Sequence, residues 1–551
     1  MSALKSLRQV PRPPAAAARA TSQEHLTENL ANELFIGFVG PGGSGSGQAA
    51  MILKEFLETQ AVGDRTYEVH ILKASTEIKA WARKNGKDLS LVETAHKSLD
   101  GVEHMQNLGD EMRLSFRDNA AVARAIMARI RAVRATASGR PEGEIDGKPR
   151  AYLIESLRHP SEAQLLRRVY QDAFTLVGVV CEEDERRKRL IRDLFGFGDR
   201  GKQENLDRVS AFMARDADAP ASHGQHVIDT FHEADFFVDN SKDAQNDPRN
   251  TAMNEPLRRL VRMLTASEVI RPKIGETAMH QAHSAQLRSA CLSRQVGAAL
   301  VDAGGNVVST GANDVPKAGG GLYGADFDDE APDHRCAYRP DKFCSSNREQ
   351  NAIIGELIDK YPALSEGRTR PQALGELRRT KIGGLIEFSR AVHAEMDAIL
   401  AAARTGTSPR GCRLYVSTFP CHYCARHIVA AGIDEVQYIE PYPKSQAIAL
   451  HCDAITTDSE GWEPPSQAQP LERPGPARET AEQPRKAPKV LFHPFVGVAP
   501  RMYARVFLKD RDYKDKATGD FGVKTPAWGG HSPSFRVHYL ELESGLGELQ
   551  A

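Results

Sequence analysis

The sequence predicts an α/β protein of two domains: an N-terminal parallel sheet carrying a glycine-rich loop, then an α/β/α sandwich built around a metal-type ligand set. Three observations predict it. An apolar run, residues 34–39, leads directly into Gly40-Pro41-Gly42-Gly43-Ser44-Gly45-Ser46-Gly47 and then a helical stretch. Short buried strands alternate with helices as far as Leu264. Beyond Lys273, strands and helices deliver His393-Ala394-Glu395 and Pro420-Cys421-His422-Tyr423-Cys424. At 551 residues the chain is too long for one ordinary core.

Residues 48–59 place Met51, Ile52, Phe56 and Leu57 on one face, as a helix packed on a sheet requires. Strand, glycine loop, helix is the layout whose backbone N–H groups cradle a phosphate. That makes Gly40, Gly43, Ser44, Gly45, Ser46 and Gly47 candidate nucleotide contacts, with Mg2+ accompanying the nucleotide. The phosphate-gripping lysine position is Ser46, however, and the metal-binding hydroxyl position is Gly47. Phosphoryl transfer would lack its charge neutralisation. The loop then either senses a nucleotide through its backbone or is a glycine turn with no ligand.

Residues 67–72, 151–154, 174–180 and 234–240 read as further buried strands, with helices at 120–135, 161–170 and 255–264. Residues 182–192 carry Arg186, Arg187, Arg189 and Arg192, either a lid over phosphates or a solvated helix face. A helix at 279–293 precedes strands at 295–301 and 306–311. Residues 317–380 look like an insertion holding two helices. Strand 413–418, helix 422–431 and strand 435–439 complete the sandwich. The expected division is a disordered tail at 1–30, a first domain at 31–268 and a second at 269–461. A disordered linker follows at 462–489, and then an extension, 490–551, packing on the second domain.

His393, Cys421 and Cys424 form a ligand set for one catalytic zinc, Zn2+, with a tetrahedral position left open. Cys421 and Cys424 are three residues apart, so both face one way on a helix's first turn. There the free N–H groups favour thiolates. Glu395, two residues after the histidine, is placed to act as general acid and base; the pattern belongs to hydrolytic nucleobase deamination. Cys336 and Cys344, near His334, fit no familiar pair spacing, so free thiols are preferred to a second zinc.

The 72 basic residues balance 73 acidic ones, which argues against a broad nucleic-acid-binding surface. Eight cysteines do not make a disulfide scaffold, so a reducing, cytoplasmic location fits. No apolar run reaches the roughly 18 residues of a membrane span, and no membrane partner is expected. The basic, proline-containing first residues read as a tail rather than a targeting segment.

The flanks of the metal site carry a resemblance. Arg288-Ser289-Ala290-Cys291-Leu292-Ser293-Arg294-Gln295-Val296-Gly297-Ala298, Ser309-Thr310-Gly311-Ala312-Asn313-Asp314 and Leu414-Tyr415-Val416-Ser417-Thr418-Phe419-Pro420-Cys421 resemble deoxycytidylate deaminases. A longer match takes in the degenerate loop, Ser156-Leu157-Arg158-His159-Pro160, Glu440-Pro441-Tyr442-Pro443-Lys444-Ser445 and Pro494-Phe495-Val496-Gly497-Val498-Ala499-Pro500-Arg501. It is similar to the bacterial anti-phage dCTP deaminases, in which a P-loop kinase-like domain is fused to a cytidine-deaminase-like sandwich. The resemblance implies a deoxycytidine nucleotide substrate and places Asn313 on its sugar. It also implies a regulatory nucleotide at the P-loop domain, an inhibitory small RNA as partner and a homo-oligomer. Arg288 and Arg294 are candidate phosphate contacts, with surface ion pairs as the alternative. Asp397 departs from the family, which often has asparagine there. A polynucleotide deaminase and a nucleotide-sensing switch with vestigial catalysis are the competing readings.

Overall fold

The structure is a computed structural model describing residues 31–60, 66–94, 96–217, 222–241, 250–325, 330–442, 445–468, 488–509, 511–522 and 536–547, with 22 and 24. The expected tail and most of the expected linker lie outside these residues. The chain divides into two compact units, Met1–Arg271 with Val496–Ala551, and Pro272–Phe495.

In the first unit, β1 (Glu33–Val39), β2 (Glu68–Lys73), β3 (Arg150–Glu155), β4 (Phe174–Val180) and β5 (Phe236–Asp239) are all parallel, in the order 5-4-1-3-2. β1 and β4 are buried at every position, because helices cover both faces; this is why they read as continuous apolar runs rather than alternating ones. Phe38, Val177 and Phe236 meet Leu53 of the Ser46–Thr59 helix and Leu257 of the Thr251–Leu264 helix in one core. The glycine loop leaves the carboxyl end of the central strand, so the unit has the P-loop kinase-like architecture expected.

Two helices here escape sequence reading. Leu99–Phe116 buries Gly101, Gln106, Gly109 and Arg113 along with its leucines, which breaks the apolar stripe. Gln203–Ala217 buries Asp216 beside Phe212 and Met213.

The C-terminal extension corrects an expectation. Its first residues do continue the second unit: β11 (Val490–Pro494) pairs there. From Val496 onwards, however, the chain belongs to the first unit and not to the second. Gly497–Val498 adds an antiparallel strand at β5, and the Pro500–Phe507 helix brings Met502 and Val506 into the first core. The Arg536–Gly547 helix contributes Glu543, which with Glu33 encloses the Arg134 guanidinium at 2.7–3.0 Å. Arg134 and both carboxylates are almost fully buried, so the cation is a reason for this helix to dock.

In the second unit, β6 (Gly297–Val301) pairs antiparallel with β7 (Val307–Ala312) and with β8 (Arg413–Thr418). β9 (Glu435–Glu440), β11 and β10 (Ile455–Thr456) continue in parallel, giving the order 7-6-8-9-11-10. Successive strand residues face opposite ways. Ala298 and Leu300 therefore meet Ala394, Ala398 and Cys424 of the metal-side helices, while Gly297 faces the Ile274–Gln286 helix behind the sheet. An α/β/α sandwich results. A Cβ on Gly297 would come within 1.9 Å of the Ala282 carbonyl, and one on Gly311 within 2.2 Å of the Ala394 carbonyl. Helices thus approach the sheet backbone from both sides at these two glycines.

The Ile274–Gln286 helix starts and stops earlier than the expected 279–293. Asp314 Oδ2 accepts from Ala290 N at 2.8 Å and Ser289 Oγ donates to Asn313 O at 2.7 Å, which pulls this segment out of the helical path. The insertion holds helices Ser345–Lys360 and Arg370–Leu377 around a small core of Ile354, Ile358 and Ala373. Of the expected linker, the described residues are held in place. Trp462 Nε1 donates to Lys489 O at 2.7 Å, and Ser466 Oγ donates to Asp434 Oδ2 at 2.6 Å.

Candidate active site

His393 is the residue preceding the Ala394–Arg404 helix, in extended conformation, and Cys421 holds the same place before His422–Ala430. Each helix start therefore offers one ligand outside and one functional group inside its first turn: Glu395 on the first, Cys424 on the second. His393 Nδ1 lies 3.3 Å from both Cys421 Sγ and Cys424 Sγ. The three ligand atoms fall within 4.8 Å of one another, the only such metal-capable group among the described residues. Two thiols and one imidazole converging in a buried spot are the donor set that zinc prefers, and the residues fit that ion.

The electrostatics follow from burial. Cys424, donating to Cys421, holds the Cys421 thiol down at about 4, with His393 assisting. Burial pushes Cys424 well up, since only one of the pair ionises easily without a cation. Burial pulls His393 down, but its hydrogen bond to Cys421 and the charge of Glu395 leave it raised. Glu395, 4% exposed, is raised by burial and then by Cys421, so its proton is held near neutral range as a general acid/base requires.

Around this centre β7, β8 and β9 end together. Asn313 is buried, and its amide bridges the backbone: Oδ1 accepts from Val296 N and Nδ2 donates to Arg294 O, both at 2.6 Å. It thus fixes the turn into β6. Arg294 is half exposed and pairs with Glu440 Oε1 at 2.6 Å, while Thr418 Oγ1 donates to Glu440 Oε2 at 2.6 Å. Arg288 is exposed, and its carbonyl accepts from Arg335.

Three residues at the site carried no functional reading from sequence. Asp314, 3% exposed, ties the 289–290 turn to Val392, one residue before the metal histidine, whose N–H donates to its carbonyl at 3.0 Å. Arg335, from the insertion, reaches to 3.7 Å from Asp314. Ser445 Oγ donates to Pro420 O at 2.8 Å and so steadies the cysteine turn. Ser445 lay within a motif shared with the resembled family, but no periodicity pointed to any of the three.

Asp397 Oδ2 accepts from Ala312 N at 3.1 Å, and burial raises its carboxyl. A raised carboxyl disfavours the folded state as pH climbs from the unfolded carboxylate range through the folded value. Asp397→Asn keeps the acceptor and removes the charge. Its stability advantage over wild type should therefore grow with pH across that window, to about 1 kcal/mol. Urea unfolding at about pH 4 and about pH 8 measures it; an advantage that shrinks with rising pH refutes the account.

Cys336 and Cys344 join no three-ligand group, and both are free thiols; burial raises Cys336, with Cys291 and Cys344 as neighbours. Metal analysis of the purified chain should find about one zinc, lost together with Cys421 or His393.

The candidate loop residues of the first unit form a tight turn. Gly42 N donates to Asp216 Oδ2 at 2.6 Å, and Asn240 Nδ2 donates to Ser44 O at 2.8 Å. Ser44 is buried, its Oγ 3.4 Å from Ser46 Oγ, and Gly45 has a φ of 90° at the helix start. Cβ atoms on Gly43 and Gly40 would meet the Arg186 and Val179 carbonyls at 2.9 Å, and Gly47 faces Glu155. A carboxylate of the chain itself thus already holds one amide of the loop.

The family model described as "Cytidine and deoxycytidylate deaminase zinc-binding region" matches residues 272–440, which contain every residue of the metal site. Deoxycytidylate deaminase of Enterobacteria phage T4 is 31% identical over 172 residues, covering 31% of this chain and 79% of the phage enzyme. Among solved structures, dCMP deaminase from the cyanophage S-TIM5 is 19% identical, covering 33% of this chain and 94% of its own, at a TM-score of 0.19. Shikimate kinase from Acinetobacter baumannii is 11% identical, covering 44% of this chain and 97% of its own, at a TM-score of 0.23. The chain therefore belongs to the cytidine and deoxycytidylate deaminase family.

Proposed function

We propose that this protein deaminates deoxycytidine nucleotides by hydrolysis, converting dCTP, dCMP or both to the uracil nucleotide. One observation carries the reading: His393, Cys421 and Cys424 converge beside the buried carboxyl of Glu395. Zinc held by the three ligands would lower the pKa of a water towards roughly 7. Glu395 accepts a proton, delivers it to N3 of the cytosine ring, and later protonates the departing amine. Burial keeps this carboxyl able to carry a proton in both directions. Asn313 would offer its remaining amide proton to the sugar while holding the 294–296 backbone. Arg294, half exposed beside Glu440, and Arg288 would meet phosphate oxygens.

The resemblance of the whole chain to anti-phage dCTP deaminases supports a cytoplasmic role in depleting dC nucleotides during infection. Within that reading the first unit senses a nucleotide, a small RNA holds activity off, and the enzyme is a homo-oligomer. Purified protein with dCTP, dCMP, CTP and cytosine-containing oligonucleotides, followed for uracil products, tests the substrate. Turnover of a deoxycytidine mononucleotide at least about 100-fold above the oligonucleotides is expected. Turnover of the oligonucleotides alone rejects the proposal.

A further inference from the structure

The first unit contains a cavity of about 340 Å³ lined by the carboxyl ends of β2 and β3 and by the Leu99–Phe116 helix. In open parallel sheets, ligands bind outside the carboxyl ends of the strands. Its wall is strongly cationic: five lysines and arginines against two carboxylates, Glu155 and Glu162. Those two are already engaged, since Arg113 lies 2.7 Å from Glu162 and Lys73 lies 3.5 Å from Glu155. Lys97 makes no hydrogen bond or ion pair among the described residues, and Lys79 uses one of its three donors on Val92 O at 3.0 Å.

The rest of the wall is of a different kind. Ile78, Val102, Met105 and Phe212 give it an apolar side. Gln106, 5% exposed, donates through Nε2 to Asp216 Oδ1 and Gln225 Oε1, both at 3.2 Å, which leaves its buried Oε1 with no partner. Reversing the amide would point Oε1 at two oxygens, so this orientation is the one the neighbours enforce. An unsatisfied buried acceptor costs about 1–3 kcal/mol unless something donates to it. Ser156, also in the wall, has a φ of 66°, a conformation that non-glycine residues keep chiefly at functional sites.

We propose that this cavity is a ligand site of its own, wholly within the first unit, and that it takes a nucleoside monophosphate. The free ammonium groups of Lys79 and Lys97 meet the phosphate. The apolar side takes the base, and a ring N–H or amine of that base donates to Gln106 Oε1. The site differs from the glycine loop, where Asp216 holds the Gly42 amide, yet it shares a wall with it: Arg158 and Gln106 both grip the other oxygen of Asp216. The ligand is bound and not phosphorylated, because the loop has serine and glycine where phosphoryl transfer needs lysine and hydroxyl.

Calorimetric titration of the full chain with AMP, GMP, dTMP and dCMP, beside their nucleosides and inorganic phosphate, tests this. At least one monophosphate should bind about one per chain, more tightly than its nucleoside and than phosphate. Lys97→Glu, an exposed change, should weaken that binding about tenfold or more. Gln106→Leu should weaken it too, with thermal melting reporting whether the variant is folded. Absence of binding by all four, binding matched by phosphate alone, or binding unchanged in folded Lys97→Glu overturns the proposal. A dCMP signal that survives Lys97→Glu belongs to the zinc centre and counts against it. Deaminase turnover, assayed separately, does not enter any of these outcomes.

Discussion

Glu395→Ala should retain its zinc and lose deamination by at least about a thousandfold, the upper part of the range for a positioned acid/base. The ligands His393, Cys421 and Cys424 are untouched by the change, so metal analysis should still find the ion. What disappears is the one buried carboxyl able to move protons between water, ring nitrogen and leaving amine. Uracil formation, followed by chromatography, and zinc content are measured on the same preparation. A variant with wild-type turnover would remove Glu395 from the mechanism; a zinc-free variant would make it a structural residue.

Arg134→Leu should destabilise the first unit by about 3–5 kcal/mol. The guanidinium faces Glu33 and Glu543 together, and Tyr152, Tyr539 and Tyr170 donate to the same carboxylates at 2.6–3.1 Å. Removing the cation leaves two buried carboxylates with only phenol partners. Burial already raises Glu543. In the variant both carboxyls should be raised further, so protonation relieves the strain and the deficit shrinks as pH falls from about 8 to about 5. Thermal unfolding at the two pH values checks the magnitude and the sign. A deficit below about 1 kcal/mol at either would mean that the Arg536–Gly547 helix docks by packing alone.

Much of this architecture was legible before any coordinates. The 174–180 strand is found where its apolar run placed it, and 34–39 and 151–154 are each extended by only a residue or two. Buried parallel strands are encoded locally, as short runs without alternation. The metal centre was legible for a similar reason: two helix starts, each carrying its groups within four residues, need only be brought together. Helix limits were harder. Side chains such as Ser289 and Asp314, distant in sequence from what they bind, decide where the Ile274–Gln286 helix stops.

Asn313 shows the boundary most clearly. Its place beside the site came from resemblance, but its use as a clamp on 294–296 could be seen only once β6 and β7 were paired. By itself, the sequence determined two α/β domains, one metal-type ligand set and one loop unsuited to phosphoryl transfer, because each rests on contiguous residues. The tertiary structure alone decided that the chain from Val496 onwards joins the first sheet, that Asp216 holds the glycine loop, and that a cationic cavity opens beside it. Each of these joins residues tens to hundreds of positions apart, and no local pattern encodes a buried charge's partner at that distance.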